Sequence, residues 1–258
     1  MYLAFRNKDL SSFLPEEYVG LKNFRDELGA PEFRDAFTTT LKIMAIGLAI
    51  QMPIGTGLAL LLARRLRFTR FFRSALLLPM LLTPVAVALM WRFMFDADVG
   101  IISWALDGVG LRSVNWLGDQ TAALFAVAIV DSWQSIPFVM LLVLAGLLGL
   151  PGGPLEAAWV DGASPWQRFR YVTLPMLRPV LYVVLLIRVI DAFKLFDILF
   201  ILTRGGPGTA TQTLGFLEFN KGFQSLAISK ASAIGLALAV ITLPVYVLWL
   251  RSMRAAAR

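Results

Sequence analysis

Long apolar runs separated by short polar segments dominate the chain, and they predict a protein that crosses a membrane several times as helices. A membrane-spanning helix needs about 20 mostly apolar residues. Five stretches meet this requirement, at about Thr38–Ala63, Ser74–Phe95, Thr121–Leu150, Leu177–Leu202 and Lys230–Leu250. The predicted fold class is therefore all-α, a polytopic transmembrane helical bundle.

These runs also predict the domain organisation. Residues 1–37 form a polar extracytoplasmic tail, and residues 38–253 form the membrane domain. Within that domain we expect a cytoplasmic loop at 151–176 and an extracytoplasmic loop at 203–229. Residues 254–258 are a short cytoplasmic tail.

Composition supports a membrane protein and excludes several kinds of chemistry. The chain is 58% hydrophobic and 16% charged, whereas soluble domains are about 45–50% apolar and about 25% charged. Cysteine and histidine are absent. Disulfides, thiol nucleophiles, Cys/His zinc sites and imidazole acid–base chemistry are thereby excluded. We expect no catalytic residue, no metal site and no cofactor bound by this chain.

Basic residues predict the orientation, because cytoplasmic loops of membrane proteins are rich in Lys and Arg. Five spans place three arginine-rich segments on one side, which is therefore the cytoplasm. These segments contain Arg64, Arg65, Arg67, Arg70 and Arg73; Arg168, Arg170 and Arg178; and Arg251, Arg254 and Arg258. The net charge of +7 thus reports topology and not a nucleic-acid partner.

The polar N-terminus conflicts with this orientation. Residues 1–37 must lie outside, yet no apolar segment precedes them to carry them across, and they lack the apolar core of a signal peptide. We expect a missing first span or a misassigned start codon. The alternative is a natural five-span protein whose short tail is translocated unaided.

The predicted cytoplasmic loop should be structured. Leu155–Asp161 can form about two helical turns, and Gly162 ends them, as glycine does beyond a helix C-terminus. Ser164 then caps a second helix that starts at Pro165. We expect Leu174-Pro175 to end this helix and to lead into the fourth span. A structured loop of this kind suits docking to a soluble partner.

A family resemblance rests on the spacing within this loop. Glu156-Ala157-Ala158 is followed after three residues by Gly162, after nine more by Val172, and after one more by Leu174-Pro175. This pattern resembles the EAA motif of bacterial ABC importer permeases. Further segments resemble the carbohydrate-uptake subfamily, the maltose and glycerol-phosphate type: Val19–Phe24, Asn115–Gly118, Asp131–Gln134 and Leu202–Gly208. That family usually has six or more spans, so the first family span is expected to be missing here.

The resemblance implies a mechanism and a set of partners. In such permeases the EAA loop forms a coupling helix that sits in a cleft of the ATP-binding subunit. Glu156 would pair with a basic side chain there, the small Ala157 and Ala158 would allow close seating, and Gly162 would provide the bend. The matched coupling positions are Glu156, Ala157, Ala158, Asp161, Gly162, Leu174 and Pro175.

The implied system is an importer of a sugar or related polyol in the bacterial cytoplasmic (inner) membrane. Its other parts would be an ATP-binding subunit dimer, a second homologous permease and an extracytoplasmic solute-binding protein. The partner subunits would hydrolyse ATP with Mg²⁺. The alternative for Glu156 is a helix N-terminal acid that merely offsets the helix dipole.

Four charged residues of alternating sign lie within the fourth predicted span: Arg188, Asp191, Lys194 and Asp197. Each is three residues from the next, so neighbours on a helix can interact. A charge at mid-bilayer costs about 2.5–3.5 kcal/mol, and we expect this stripe to face protein or water. Two interpretations stay open: part of a translocation path or subunit interface, or a self-neutralising structural ladder.

The candidate translocation path extends this stripe with nearby polar and aromatic side chains, because sugars bind to planar polar groups with aromatic faces beneath them. Packing is the alternative role for the aromatic rings. The full candidate set is Asp131, Trp133, Gln134, Arg188, Asp191, Phe193, Lys194, Phe196 and Asp197.

Two rival functions use the same charges. An intramembrane aspartyl hydrolase would need Asp191 and Asp197 as a dyad that shares a proton, but the flanking cations favour ionisation of both. An ion-coupled secondary transporter would leave the EAA loop unexplained. The chain also lacks a phosphate-binding G-x-x-x-x-G-K-[ST] segment, so it does not hydrolyse ATP itself.

Overall fold

The computed structural model describes residues 1–8, 16–64, 69–108 and 114–256. Within these ranges the chain is almost entirely helical, and its only strands are β1 (Arg6–Asn7) and β2 (Glu17–Tyr18), an antiparallel pair. The helices are α1 Lys22–Gly29, α2 Pro31–Ala63, α3 Thr69–Leu81, α4 Pro84–Met94, α5 Ile101–Gly108, α6 Gln120–Leu148, α7 Gly152–Val160, α8 Pro165–Arg168, α9 Leu174–Phe193, α10 Asp197–Leu202, α11 Leu214–Phe219 and α12 Ile228–Ala256.

Three helices in the described part of the chain are long and apolar enough to cross a membrane. They are Pro31–Ala63, Gln120–Leu148 and the run Pro165–Phe193, and the pair α3 and α4 makes a fourth candidate if it counts as one broken span. A further apolar helix covers Ile228–Pro244. The all-α membrane fold is thus confirmed. The first span begins at Pro31 and not at Thr38, since proline without its N–H suits the first turn of a helix.

The second predicted span is not one continuous helix. It breaks between Leu81 and Pro84, and the two halves are bent by 95°. Pro84 occupies the first turn of α4, where its missing N–H costs nothing, whereas inside a helix it would remove a hydrogen bond. Our expectation of one helix over Ser74–Phe95 was therefore wrong.

The fourth predicted span also ends early. Helix α9 stops at Phe193, and α10 starts at Asp197. In the intervening turn the Lys194 N–H donates to the backbone carbonyl of Asp191 at 3.0 Å, and the Leu195 N–H donates to that of Ala192 at 3.3 Å. Bonds to the third preceding residue close a tighter turn than that of an α-helix. The hydroxyl of Thr213 donates to the freed carbonyl of Leu195 at 3.1 Å.

The chain divides into two compact units. The first contains residues 1–47, 83–131 and 189–245. One apolar cluster of this unit contains Phe33 and Ala36 of α2, Leu214 and Leu217 of α11, and Ile234 of α12.

The second unit contains residues 48–82, 132–188 and 246–258. An apolar cluster here involves three helices, with Leu62 from α2, Val143 from α6 and Leu177 from α9 among its buried members. Two glycines allow close packing in this unit: Gly55 lies against Val139, and Gly146 lies against Val180. Among the predicted cytoplasmic arginines, Arg65, Arg67 and Arg258 lie outside the described residues.

Candidate functional site

The predicted coupling loop begins with α7, which presents Glu156 on its surface. Glu156 and Ala157 are exposed, whereas Ala158 is 8% exposed and faces the protein. Among the described residues the Glu156 carboxylate has no hydrogen bond or ion pair. Its charge is therefore available to a partner, on a helix that starts at Gly152 and not at Leu155 as expected.

Gly162 ends α7 in the expected way. Its φ of +70° lies in the left-handed region that glycine adopts without strain. The Gly162 N–H donates to the Trp159 carbonyl at 3.2 Å, and the Ala163 N–H donates to the Ala158 carbonyl at 3.1 Å. This pair of bonds is a Schellman motif, and it places Asp161 at the C-cap, exposed to solvent.

Ser164 starts the second arm of the loop through a capping box. Its hydroxyl accepts from the Gln167 N–H, the Gln167 side chain accepts from the Ser164 N–H, and Pro165 follows in the first turn. The cap and the proline were predicted. The reciprocal bond from Gln167 was not, although the spacing Ser-x-x-Gln is its sequence signal.

Leu174 and Pro175 do not end this helix, contrary to our prediction. Phe169–Thr173 forms a single π-helical turn in which the Leu174 N–H donates to the Phe169 carbonyl. The wider turn gives the Pro175 ring room that a regular helix would deny it. The helical run therefore continues from Pro165 to Phe193 over 29 residues.

Two tryptophans and two arginines surround a groove beside α7 and α8. The Arg168 guanidinium lies 4.2 Å from the centre of the Trp159 ring and links the two arms of the loop. Trp159 and Trp166 are 69% and 68% exposed. The groove has a volume of about 750 Å³ and is also lined by Arg64. Exposed rings beside a cation are typical of a protein-binding surface, and sequence reasoning did not single them out.

The charged stripe is divided among different environments. Arg188 is 7% exposed on α9, and its Nε donates to Oε1 of Gln51 at 2.9 Å. Asp191 is exposed near the end of α9, Lys194 lies in the following turn, and Asp197 is the first residue of α10. The expectation that all four share one helix was wrong, because the chain turns at Lys194.

The aromatic and α6 candidates have different surroundings. Phe193 is 5% exposed. Phe196 lies against other phenylalanine rings, and its ring centroid is 5.4 Å from that of Phe200 and 4.9 Å from that of Phe219. These contacts favour the alternative interpretation, in which the ring has a packing role. Asp131, Trp133 and Gln134 are half-buried on α6.

Gln134 has a structural partner at the broken second span. Its amide donates to the Leu82 carbonyl at 2.8 Å. This carbonyl lies at the break between α3 and α4, where a regular helix would have supplied its partner. The side chain thereby stabilises the irregular backbone.

Gln51 was missed entirely. It is 1% exposed and joins Arg188 to Ser132, whose Oγ lies 3.3 Å from the Gln51 Nε2. The available signal was a single amide side chain inside a mostly apolar predicted span.

Residues 51–258 match the family model described as "Binding-protein-dependent transport system inner membrane component". The chain belongs to this family. The permease is thus a multi-pass inner-membrane component of a transport system and not an enzyme. The family description makes that transport dependent on a binding protein.

Curated relatives of the permease carry specific names. It is 40% identical over 210 residues to the trehalose/maltose transport system permease protein MalF of Thermococcus litoralis, covering 81% of this chain and 71% of that one. It is 32% identical over 241 residues to the sn-glycerol-3-phosphate transport system permease protein UgpA of Pectobacterium atrosepticum, covering 92% and 81%.

The fold of the permease is also found in a solved structure. A chain in the crystal structure of a bacterial alginate ABC transporter, in complex with a periplasmic protein bound to alginate pentasaccharide, superposes with a TM-score of 0.82. The match covers 93% of this chain and 85% of that chain at 23% identity. This likeness supports the helical membrane architecture.

Proposed function

We propose that this permease is the membrane subunit of an ATP-driven ABC importer that moves a sugar or related polyol into the cytoplasm. The single observation that carries the coupling role is the open carboxylate of Glu156 on a capped, exposed helix. The proposed partners are two ATP-binding subunits that hydrolyse ATP with Mg²⁺, a second homologous permease and an extracytoplasmic solute-binding protein.

The loop has the stiffness that mechanical coupling requires. The Schellman motif at Gly162 fixes the end of the first arm, the capping box at Ser164 fixes the start of the second, and the contact of Arg168 with Trp159 joins the two arms. A stiff loop transmits displacement, whereas a flexible one would absorb it. Ala157 leaves space next to Glu156 for a close partner surface, whereas Ala158 faces the protein, and the exposed Trp159 adds apolar contact area.

The substrate class rests on the names of the relatives. Those names concern trehalose or maltose and glycerol 3-phosphate, compounds that share several hydroxyl groups or a polyol backbone. A permease that receives its substrate from a binding protein needs little affinity of its own. The identity of the sugar is therefore best determined on the binding protein.

The set of residues that we propose for the translocation path is smaller than the set that the sequence indicated. Asp191, Lys194 and Asp197 are exposed around the turn between α9 and α10. Irregular backbone within a membrane domain is tolerated where it lines a cavity. Asp131 and Trp133 stay in the proposed set. The burial of Phe193 and the contacts of Phe196, Gln134 and Arg188 favour supporting roles.

The coupling role is tested by Glu156→Arg in the complete transporter reconstituted in liposomes. We expect normal insertion, at least about tenfold weaker association with the ATP-binding subunit, and no ATP-dependent uptake. Loss of one charge-assisted hydrogen bond costs about 1.5–3 kcal/mol, and 1.4 kcal/mol is tenfold in affinity. Glu17→Arg, the same change at an exposed N-terminal residue, is the matched control.

Full uptake by Glu156→Arg would refute the coupling role. An ion-coupled secondary transporter is the alternative function, and neither the family nor the relatives favour it. It predicts uptake that collapses with an uncoupler at constant ATP, whereas the proposed importer continues under the same conditions.

A further inference from the structure

A buried polar cluster joins three long helices in the second unit. It consists of Gln51 on α2, Ser132 on α6 and Arg188 on α9, here called the Gln51 cluster. The three side chains are 1%, 1% and 7% exposed. Arg188 Nε donates to Gln51 Oε1 at 2.9 Å, and Gln51 Nε2 donates to Ser132 Oγ at 3.3 Å.

The chemistry of the cluster fixes the direction of its bonds. A guanidinium can only donate, so the group that faces Arg188 must be the carbonyl oxygen of Gln51. The Gln51 amide nitrogen must then face Ser132, whose hydroxyl accepts. One side chain therefore satisfies a donor on one helix and an acceptor on another. Such a connection fixes rotation and register, which apolar contacts alone do not.

Arg188 stands on the helix that leaves the coupling loop. The run Pro165–Phe193 is continuous, because the π-helical turn at Phe169–Thr173 accommodates Pro175. From Pro165 to Arg188 this helix extends roughly 35 Å, at 1.5 Å per residue. Between these points Leu177 and Val184, both fully buried, pack in the apolar cluster with Val139 and Val143 of α6. A displacement of the loop can therefore reach Arg188 along one continuous helical run.

We propose that Gln51 is a positioning residue for energy coupling, holding Arg188 so that α2 and α6 follow the displacement of α9. This inference rests on the proposed import function. It assigns a role in coupling to Gln51 and Ser132, two residues that lie outside the motif of the coupling loop. Arg188 acts here through its neighbours and need not touch the substrate.

The test measures the ATP hydrolysed per substrate molecule transported by the complete transporter in proteoliposomes. Gln51→Leu keeps the approximate volume but removes the hydrogen bonds to Arg188 and Ser132. We expect this ratio to rise at least fivefold, because hydrolysis continues while the helices no longer follow α9. Gln51→Glu restores an acceptor for Arg188, and we expect a ratio within twofold of the wild type.

The control is Thr242→Val, which removes a buried hydroxyl that bonds only within its own helix, to Leu238 and Ala239. We expect its ratio to be unchanged. If Gln51→Leu is not recovered in membranes, Ser132→Ala removes one end of the cluster with a smaller change of volume, and we expect a rise of at least twofold.

The inference is overturned if uptake and hydrolysis fall by the same factor in Gln51→Leu or, where that variant is lost, in Ser132→Ala. It is equally overturned if Gln51→Glu uncouples as strongly as Gln51→Leu, because the acceptor would then not be the property that matters. Failure of the proposed function is a different result: the wild-type transporter itself would show no ATP-dependent uptake.

Discussion

A close contact between two helices of the second unit gives a sharp prediction for Gly55→Ala. A Cβ added at Gly55 would lie 2.6 Å from Val139 Cγ1, 2.7 Å from Val139 Cβ and 3.2 Å from the Met140 backbone nitrogen. Val139 is fully buried and branched at Cβ, so it cannot rotate away from the new methyl group. The helices α2 and α6 must therefore separate.

The expected cost follows from two opposing effects. Overpacking of a filled core costs about 1–3 kcal/mol, and these short distances place this site near the upper value. Replacing glycine by alanine in a helix returns about 1 kcal/mol. The net loss is about 2 kcal/mol, which lowers the unfolding temperature by about 4–8 °C in a chain of this size.

The assay is thermal unfolding of the purified permease in one detergent, with two companion variants. Gly57→Ala changes a glycine on the same helix that has nothing within 4 Å of the added atom, and we expect no loss. Val139→Ala with Gly55→Ala makes room for the methyl group, so the double variant should lose less than the sum of the single losses. A Gly55→Ala protein as stable as Gly57→Ala, or strictly additive losses, would show that this contact does not limit the packing.

Three further changes have signed expectations. Arg204→Asn should raise the unfolding temperature by about 2–4 °C, because Arg204 has a φ of +52° and asparagine tolerates the left-handed region at a cost lower by about 1 kcal/mol. An unchanged unfolding temperature would contradict the assumed strain. Ser164→Ala should cost about 1 kcal/mol of local stability, measured as faster amide hydrogen exchange in α8 relative to α7, and equal exchange would contradict it. Burial raises the pKa of the Glu218 carboxyl, so the folded protein loses stability as the pH rises above the ordinary pKa of a glutamate. The unfolding temperature of Glu218→Gln should therefore rise relative to that of the wild type between pH 4 and pH 7. A difference that does not change with pH would contradict this expectation.

Local signals in the coupling loop were readable from the sequence. Gly162 and the pair Ser164-Pro165 act through backbone conformation and bonds to residues at most five positions away. Such features depend little on the rest of the fold.

Tertiary partners explain what the sequence did not reveal. The turn at Lys194 is completed by the Thr213 hydroxyl, 18 residues beyond the carbonyl that it satisfies. The partners of Gln51 are 81 and 137 residues away in the chain. The spacing of hydrophobic residues carries no information about partners so far apart in the chain. Neither the end of α9 nor the Gln51 cluster could therefore be predicted from it. Of the predicted stripe, Arg188 was recognised as important, but its surroundings were not.

The failed prediction at Pro175 bears directly on the coupling mechanism. A helix that ended at Leu174-Pro175 would place a joint between the loop and α9, and a joint lets the loop move while the membrane helix stays still. The π-helical turn carries the helix past this proline, because the Leu174 N–H donates to the Phe169 carbonyl. In the proposed mechanism, displacement at Pro165 then moves Arg188, and the buried bonds of Gln51 determine whether α2 and α6 move with it.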